Sequence, residues 1–378
     1  MLSALKHLVR RELAYIRSFP FTATLDLTDR CNQRCLTCRA WQREDSNLEL
    51  RADQWADVLS QLAHLGIINV NLIGAEPLLR EDLVDIITAL KANGQTGHLF
   101  TNGTLLSDQL ASKLVEKGLD TISISLQGPT AYLHDHLVNL PGAFQRCTQG
   151  IRALLAAQRQ KGRNRPETKI HTTLNALNID HTKGLLDLAE SLEVDTLILQ
   201  FVSEPPQKVT AATSWEGKHI ASSQYEPQGA SLLPSVEQIT RFQANVDHHQ
   251  RENRSVRVLT SLNPNQLAKG CFPLQRCYVV RCSLSISPEG NVYPCGMIKN
   301  YHFGNVLDRG IAEVLTGPER LLFMKRLDGG FMPVCAYCCH FYSNLTLSQL
   351  LRVSVGRPLP PTPWSRRSPG KGTGESSR

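Results

Sequence analysis

The sequence lacks an apolar run of about 18 residues, the length that a membrane-spanning helix requires. Its first residues also lack the uninterrupted apolar region of a secretory signal, because charged residues such as Lys6, Arg10 and Glu12 break it up. Aromatic residues make up only 6%, and basic residues do not alternate with aromatics in a stripe. These absences argue against a transmembrane, a secreted and a nucleic-acid-binding protein. We expect a cytoplasmic location.

Cysteine is plentiful and unevenly distributed. Of the 11 cysteines in 378 residues, three lie within residues 31–38, one is at 147 and the other seven lie within 271–339. Disulfides are rare in a reducing compartment, so clustered cysteines there indicate metal ligands or catalytic thiols. We expect lone Cys147, on a predicted helix, to be a core residue.

Short β-branched or apolar runs alternate with amphipathic helical stretches from about residue 20 to 203. The pattern predicts strands at 21–27, 68–73, 96–100, 121–126, 168–174 and 196–202, with helices near 51–65, 80–93, 107–118, 143–160 and 181–192. Such alternation gives parallel βα units, which close as a full or partial barrel or lie open as a doubly wound sheet. In both arrangements functional groups collect at the carboxyl ends of the strands.

Composition divides the chain into four regions. Residues 1–19 have the pattern of an amphipathic helix; we expect its apolar side to pack on its own domain, with a membrane-surface anchor as the less favoured alternative. That apolar side consists of Leu2, Leu5, Leu8, Val9, Leu13 and Ile16. Residues 20–234 form the barrel region, residues 235–345 a helix followed by the cysteine-rich region, and residues 346–378 a basic, mostly disordered tail.

Cys31, Cys35 and Cys38 follow the first predicted strand, at the functional edge of the sheet. Structural zinc takes four protein ligands, and a [4Fe–4S] cluster is also normally held by four thiolates. A cluster held by three thiolates leaves one iron open to a substrate or cofactor, which is a physical reason for the number three. A zinc site is the alternative.

The spacing Cys31-x3-Cys35-x2-Cys38 resembles the signature of the radical S-adenosylmethionine (radical SAM) enzymes. Four further stretches extend the resemblance, each at the carboxyl end of a predicted strand: GAEPLL at 74–79, TNGTLL at 101–106, SISLQGP at 123–129 and NALNI at 175–179. The resemblance implies an α/β fold with a partial (β/α)6 TIM-like barrel.

The resemblance also implies the chemistry. The three thiolates would hold three irons of a [4Fe–4S] cluster, and S-adenosylmethionine would chelate the fourth through its amino and carboxylate groups. Its reductive cleavage then gives a 5′-deoxyadenosyl radical that takes a hydrogen atom from the substrate. The implied contacts to S-adenosylmethionine are Gly74, Glu76 at the ammonium, Asn102, Ser123 and Ser125 at the carboxylate, and Asn175 or Asn178 at the ribose.

Three positions depart from the family pattern. Ala75 stands in place of a second glycine, so the backbone there must accept a β-carbon. Gln127 stands in place of an aspartate, and Thr37 in place of an aromatic residue. Trp41 is the candidate for the missing aromatic contact to adenine.

The stretches CYVVRCSLSISPEGNVYPCG at 277–296 and CAYCCH at 335–340 resemble the auxiliary-cluster region called SPASM. The turn PEGN predicts a β-hairpin that brings cysteines together. The resemblance implies one auxiliary [4Fe–4S] cluster with the ligands Cys277, Cys295, Cys335 and Cys338. Cys282 is the alternative to Cys277, while Cys271 and Cys339 are spares; a four-cysteine zinc ribbon is the alternative site.

The resemblance to SPASM-containing enzymes implies modification of a peptide by oxidation, crosslinking or epimerisation. A radical SAM oxidoreductase of a small metabolite, such as a sugar or lipid precursor, is an alternative, and a zinc-bearing binding module on an inactive barrel is an alternative of another class. The electron would come from a carrier such as flavodoxin or ferredoxin. Because the cysteine loop begins at residue 31, we expect no additional N-terminal domain for peptide recognition.

Overall fold

The structure, a computed structural model, describes residues 2–42, 48–205, 207–220, 231–252, 255–260 and 276–338. Cys271, Cys339 and the predicted disordered tail lie outside these described residues. The centre of the fold consists of the parallel strands β1 (Thr22–Asp26), β2 (Asn69–Ile73), β3 (Thr96–Thr101), β4 (Thr121–Ser125), β5 (Glu167–Leu174) and β6 (Thr196–Phe201). All six predicted strands are confirmed to within one residue at each end.

Helices precede and connect these strands: α1 (Leu2–Arg17), α2 (Ala52–His64), α3 (Leu83–Ala92), α4 (Asp108–Glu116), α5 (Ala131–Val138), α6 (Ala143–Gln160) and α7 (Thr182–Ser191). The five helices predicted between strands are confirmed, whereas α5 was not predicted. Its N-cap is Thr130, whose hydroxyl accepts a hydrogen bond from the amide of Leu133 at 3.4 Å.

The segment after β6 returns to the barrel. It contains α8 (Gln207–Ala211), a hairpin of β7 (Ser214–Trp215) and β8 (Lys218–His219), α9 (Val236–Arg251) and β9 (Arg257–Thr260). α9 packs against α7, and β9 pairs with β6 in parallel. The domain boundary at residue 234 stays a prediction, but α9 and β9 continue the alternation of the barrel.

The cysteine-rich region extends the opposite edge of the same sheet. After α10 (Val279–Cys282), β10 (Ser283–Ile286) pairs with β1 in parallel, so the sheet has eight parallel strands in the open order β10-β1-β2-β3-β4-β5-β6-β9. β11 (Asn291–Tyr293) and β12 (Gly304–Asn305) follow in antiparallel order, which confirms the hairpin predicted from PEGN. α11 (Ile311–Thr316), α12 (Pro318–Asp328) and a 3-10 turn (Pro333–Tyr337) complete the described chain.

The strands present different chemistry on their two faces. One face is buried under the helices; for example, Leu25 and Leu72 pack in the same core as Trp55, with all three fully buried. Cys147 belongs to this core at 0% exposure, as predicted. Because side chains alternate along a strand, the other face points into the barrel. It carries polar residues, including His98, and forms the floor of the site.

α1 contacts the cysteine-rich region with the side opposite to the predicted one. Ala14 packs against Tyr278 and Cys282, whereas Val9, Leu13 and Ile16 are 51%, 45% and 75% exposed. For Val9, Leu13 and Ile16 the prediction that the apolar stripe packs on its own domain is therefore wrong, whereas the side chains of Leu2, Leu5 and Leu8 lie outside the described part of the structure. The physical reason is that the inward side includes Arg11, whose guanidinium lies 4.4 Å from the centroid of the Tyr278 ring. Within the described chain, no helix combines the length and hydropathy that crossing a bilayer requires.

Gly74 allows the ends of β1 and β2 to approach each other. Its φ is +144°, and a β-carbon there would lie 2.7 Å from the carbonyl oxygen of Thr28. We expect Gly74→Ala to lower the free energy of unfolding by about 2 kcal/mol or more, because strain and a backbone clash add. The change in the midpoint of thermal unfolding measures this loss.

The matched control is Gly66→Ala. Gly66 also has a left-handed φ, +76°, but nothing lies within 4 Å of the added β-carbon. This variant carries only the strain of its backbone conformation and should lose less stability. Equal losses at the two positions would contradict the close approach at Gly74.

Candidate active site

The cysteine loop, residues 31–38, leaves the sheet at the carboxyl end of β1. The end of α5 fixes it, because the amides of Arg34 and Leu36 donate to the carbonyls of Val138 and Leu137 at 3.1 and 2.9 Å. Trp41 follows the loop, and its Nε1 donates to the carbonyl of Cys38 at 2.8 Å. Its predicted contact to adenine stays a prediction.

The thiols lie in a partly buried environment with amide donors beside them. The amide of Gln33 lies 3.4 Å from Cys31 Sγ, and that of Ala40 lies 3.4 Å from Cys38 Sγ. Burial raises the pKa of Cys31 to about 11, against the lowering effect of the Gln33 amide. Burial also raises the pKa of Cys35 well above its ordinary value. Thiolates here are therefore stable only beside strong positive charge, as bound iron provides.

One buried donor of the loop has no partner within the described part of the chain. Gln33 is 3% exposed, and its Oε1 accepts from Cys35 Sγ at 3.4 Å, but its Nε2 is unpaired. An unpaired buried donor costs free energy, and the sulfides of a cluster beside Cys35 would supply acceptors. Three thiols, amides at the sulfurs and this free amide fit a [4Fe–4S] cluster with one open iron. Among the described residues, no three or more His, Cys, Asp or Glu side chains are placed to hold a single metal ion.

Glu76 is fully buried between the ends of β2 and β3. Its Oε1 accepts from the amide of Leu78 at 2.9 Å and from Thr101 Oγ1 at 2.6 Å, and its Oε2 accepts from the amide of Asn102 at 2.7 Å. Burial raises the pKa of Glu76, and the three donors oppose that rise. The carboxylate therefore connects two loops of the site; its predicted contact with the methionyl ammonium stays a prediction.

Asn102 joins the cysteine loop to the end of β3. Its Nδ2 donates to Asn32 Oδ1 at 2.8 Å, and Asn32 Nδ2 donates to Thr104 Oγ1 at 2.9 Å. The Thr104 hydroxyl closes the ring by donating to Asn102 Oδ1 at 2.7 Å. Asn32 lies between two residues of the cysteine motif, but no sequence pattern singled it out as a site residue.

The departure at Ala75 is compatible with the backbone. Gly74, not Ala75, adopts the left-handed conformation, and among the described non-glycine residues a positive φ occurs at Ser18, Asn139, Glu193 and Glu216. The amide of Ala75 donates to the carbonyl of Thr28 at 2.8 Å. The β-carbon of Ala75 is therefore accepted without strain.

Ser123 and Ser125 face the barrel interior, but their surroundings differ. Ser123 is 1% exposed, and its hydroxyl lies 2.8 Å from His98 Nε2. Ser125 is half-buried, and its hydroxyl has no hydrogen bond within the described residues. Ser125 is thus the more available of the two for a ligand.

Asn175 and Asn178 shape the loop after β5. Asn178 Oδ1 accepts from the amide of Asn175 at 2.8 Å, and Asn175 Oδ1 accepts from the amide of Leu177 at 2.9 Å. Gln127 ties this loop to β4, because its carbonyl accepts from Asn178 Nδ2 at 2.9 Å. The ribose contact predicted for either asparagine stays a prediction.

Two histidines that the sequence did not single out lie in the interior. Burial lowers the pKa of His98 to about 3, and the charge of Lys169 adds to the effect. Burial also lowers the pKa of His171, whose Nε2 lies 3.0 Å from Gln200 Oε1. Both rings are therefore neutral at pH 7. The alternation in TKIHTTL, which puts Lys169, His171 and Thr173 on one face, was the available signal.

The cysteine-rich region reaches the site through Lys299. Its Nζ donates to the carboxylate of Asp26, the last residue of β1, and lies 5.1 Å from the centroid of the Tyr293 ring. Asp26 is 1% exposed. The partners are 273 residues apart in sequence, so no local pattern indicated this ion pair. It connects the strand before the cysteine loop to the segment after Cys295.

Cys277 and Cys335 lie near each other in the auxiliary region. Burial raises the pKa of Cys335 to about 12, and the neighbouring Cys277 thiol adds to the rise. Burial raises the pKa of Cys277, while backbone hydrogen bonds from Val280 and Val279 lower it. Burial and the neighbouring Cys277 thiol also raise the pKa of Cys282 to about 12, but the Cys282 thiol points at α1, with its Sγ 3.5 Å from the carbonyl of Arg11.

The other two predicted auxiliary ligands lie on turns. The carbonyl of Cys295 accepts from the amide of Ile298 at 2.9 Å, and buried Cys338 ends the turn Pro333–Tyr337. Ser203 Oγ donates to the carbonyl of Tyr337 at 2.6 Å, which fixes this turn to the segment after β6. The auxiliary region is therefore anchored to both edges of the barrel.

A barrel with three thiols at its carboxyl edge and a second cysteine group beside it defines an iron–sulfur enzyme of the (β/α) barrel type. The family model described as "Radical SAM superfamily" matches residues 25–189, and the SPASM model, described as "Iron-sulfur cluster-binding domain", matches residues 277–339. The chain belongs to the radical SAM superfamily and carries a SPASM region. When bound, the first cluster supplies the one-electron reduction of S-adenosylmethionine.

Curated relatives match most of the chain. PqqA peptide cyclases of Granulibacter bethesdensis and Xanthomonas campestris pv. campestris are 24% and 27% identical over 328 and 334 residues, covering 85% and 84% of this chain and 79% of each relative. The AdoMet-dependent heme synthase of Methanosarcina barkeri is 26% identical over 324 residues, covering 82% of this chain and 87% of the relative.

Solved structures confirm the TIM-like fold. Streptococcus suis SuiB bound to S-adenosylmethionine has a TM-score of 0.62 at 16% identity, covering 80% of this chain and 66% of that chain. The protein anSMEcpe with bound AdoMet has a TM-score of 0.60 at 17% identity, covering 86% of this chain and 88% of that chain. The matched SPASM model describes an iron–sulfur domain, so the alternative of a zinc-ribbon module has no support from these comparisons.

The half-buried His98 predicts a pH dependence of stability. Its pKa in the folded protein is about 3, because of burial, against an ordinary value of 6.5. The unfolded chain therefore takes up a proton below pH 6.5 that the folded chain does not, and the stability present above that pH is lost as the pH falls. At pH 5.5 the loss is about 1.4 kcal/mol.

We expect His98→Gln to remove this loss, because glutamine does not titrate and still offers Ser123 a hydrogen-bond partner. The difference in free energy of unfolding between the variant and the wild type, followed from pH 7.5 to 5.5, should shift by about that amount in favour of the variant. His219→Gln, on the exposed hairpin strand β8, is the control and should follow the wild type. Parallel curves for His98→Gln and the wild type would refute the assignment.

Proposed function

We propose that this radical SAM enzyme modifies a peptide substrate, by abstracting a hydrogen atom and so enabling oxidation, crosslinking or epimerisation. The observation that carries the proposal is the similarity to PqqA peptide cyclases over 84% to 85% of the chain, with both the barrel and the SPASM region matched. A structure of SuiB bound to the precursor peptide SuiA, with a TM-score of 0.61, has the same fold.

In this proposal the carboxyl edge of the barrel binds the cofactors. Cys31, Cys35 and Cys38 hold the first [4Fe–4S] cluster, supported by the buried donor of Gln33. S-adenosylmethionine lies against the loops that contain Gly74, Glu76, Asn102, Ser123, Ser125 and Asn175. Glu76 holds two of these loops together. Ser125 contributes a hydroxyl that is available to hydrogen-bond the cofactor.

The interior of the barrel receives the substrate. His98, His171 and Gln200 offer uncharged hydrogen-bonding groups there, with both histidines kept neutral by burial. Neutral donors and acceptors suit amide groups, which a peptide supplies at every residue. These hydrogen-bonding groups suit a peptide substrate, and they suit a small polar metabolite as well.

We assign the auxiliary [4Fe–4S] cluster to Cys277, Cys295, Cys335 and Cys338. The proximity of Cys277 to Cys335 supports this set, whereas the Cys282 thiol is engaged with α1. The enzyme would work in the cytoplasm and take its electron from a carrier such as flavodoxin or ferredoxin. A reducing compartment keeps eleven cysteines available as ligands.

Cysteine variants test the two clusters separately. Cys35→Ala should abolish the formation of 5′-deoxyadenosine by anaerobically reconstituted protein with a chemical reductant, and should lower the iron content from about eight to about four atoms per chain. Cys338→Ala should lower the iron by a similar amount while the first cluster remains. Iron analysis and product chromatography give the readouts.

The matched control is Cys282→Ser, because a serine hydroxyl can occupy the position of a thiol that lies 3.5 Å from the carbonyl of Arg11. Its iron content should equal that of the wild type. Loss of iron in Cys282→Ser, with no loss in Cys277→Ser, would reverse the ligand assignment. Unchanged cleavage of S-adenosylmethionine in Cys35→Ala would overturn the active site.

The substrate class is tested with extracts of cells that naturally produce this chain. We expect a fraction of the extract to raise 5′-deoxyadenosine formation above the substrate-free rate, and protease treatment of that fraction to remove the stimulation. When the cells have been grown on deuterated amino acids, the 5′-deoxyadenosine should contain deuterium taken from the peptide.

A stimulating compound that resists protease and passes a filter of small pore size would contradict the proposal of a peptide substrate. It would support the second candidate, a small metabolite, which the similarity to a heme synthase over 82% of the chain favours. The first cluster and its residues would then keep their roles, and only the substrate would change.

A further inference from the structure

We propose that α1 binds the surface of an anionic lipid membrane. The outer face of α1, defined by Val9, Leu13 and Ile16, points away from the protein, with these side chains 51%, 45% and 75% exposed. Their spacing of four and three residues places them in one stripe along the helix. Single exposed apolar residues are normal on a surface, but a stripe of them marks an interaction site.

The basic side chains Arg10 and Arg17 of α1 face solvent, whereas its acidic side chain faces the protein. Arg10 and Arg17 are exposed. Glu12, the one acidic residue in the helix sequence, is turned inward: its two carboxylate oxygens each lie 3.0 Å from Tyr278 Oη, and one of them accepts from Arg11 Nη2 at 2.9 Å. Within the described part of α1, the solvent side therefore presents apolar and cationic side chains without an exposed acid.

This combination identifies the partner as lipid. Apolar side chains insert at the boundary between headgroups and acyl chains, while cations beside them bind anionic headgroups. The helix has 16 residues, about 24 Å, which is too short to span a bilayer but suits a helix lying in its surface. A second copy of the chain would place two cationic faces against each other, which repulsion disfavours.

The position of α1 keeps the active site free. α1 leads into the amino end of β1, where the amide of Phe21 donates to the carbonyl of Cys282 at 3.0 Å. The cysteine loop and Glu76 lie at the carboxyl ends of the strands. A membrane on the outer face is therefore at the opposite end of the barrel from the site, and binding should leave catalysis unchanged.

The test is flotation of the full-length, anaerobically purified holoenzyme with vesicles. We expect binding to vesicles of about three parts phosphatidylcholine to one part phosphatidylserine, little binding to phosphatidylcholine alone, and weaker binding at high salt. Leu13→Glu combined with Ile16→Glu should abolish flotation. Arg10→Gln combined with Arg17→Gln should weaken binding to the anionic vesicles about 30-fold.

Leu307→Glu is the matched control, because Leu307 is 55% exposed on another part of the surface, and it should float like the wild type. All variants should form 5′-deoxyadenosine at the wild-type rate, which checks folding and cluster loading. The proposal is wrong if the wild type does not float, or if Leu13→Glu with Ile16→Glu floats normally. It is also wrong if that variant instead converts a dimer to a monomer in analytical ultracentrifugation, which would identify a second copy as the partner.

Discussion

The parallel pairing of β10 with β1 is the interaction on which both parts of the site depend. It aligns Thr22 with Ser283 and Leu25 with Ile286, so a strand from the last third of the chain lies beside the first strand of the barrel. β1 ends at the cysteine loop, and β10 opens the hairpin that leads to Cys295. The ladder therefore fixes the distance between the two cysteine groups through the backbone, independently of flexible linkers.

Buried polar contacts then set the shape of the site. Glu76 and Asn102 connect the loops after β1, β2 and β3, and both side chains are buried, at 0% and 6% exposure. In such surroundings a satisfied network is strong and an incomplete one is costly, so the loops have one favoured arrangement. The side-chain amide of Gln33, whose Nε2 is unpaired, is the exception in the cysteine loop, and it lies beside Cys35, where a bound cluster would offer acceptors.

Patterns of period two and of helical period were sufficient to predict β1 to β6 and the five helices α2, α3, α4, α6 and α7, but not α5 or β9. Cysteine spacing was sufficient to locate both cysteine groups. Contacts between residues distant in sequence were not predicted. The strand pairing of β10 and the ion pair of Lys299 with Asp26 join residues more than 250 positions apart, which no local pattern encodes. The orientation of α1 was predicted wrongly for a related reason. The side of α1 that faces the protein is set by Tyr278, which is distant in sequence and packs with Ala14 and the guanidinium of Arg11.

The auxiliary region is therefore a structural part of the barrel as well as a candidate redox site. Without β10, β1 would be an edge strand, with unpaired backbone groups next to the cysteine loop and a buried carboxylate at Asp26 deprived of Lys299. Folding of the two regions must then be coupled, since neither the edge of the barrel nor the site at its end is complete alone. The same region also packs against α1 at the amino end of β1. The paired strands β1 and β10 therefore determine where the cofactor loop, the auxiliary cysteines and the outer face of α1 lie relative to one another.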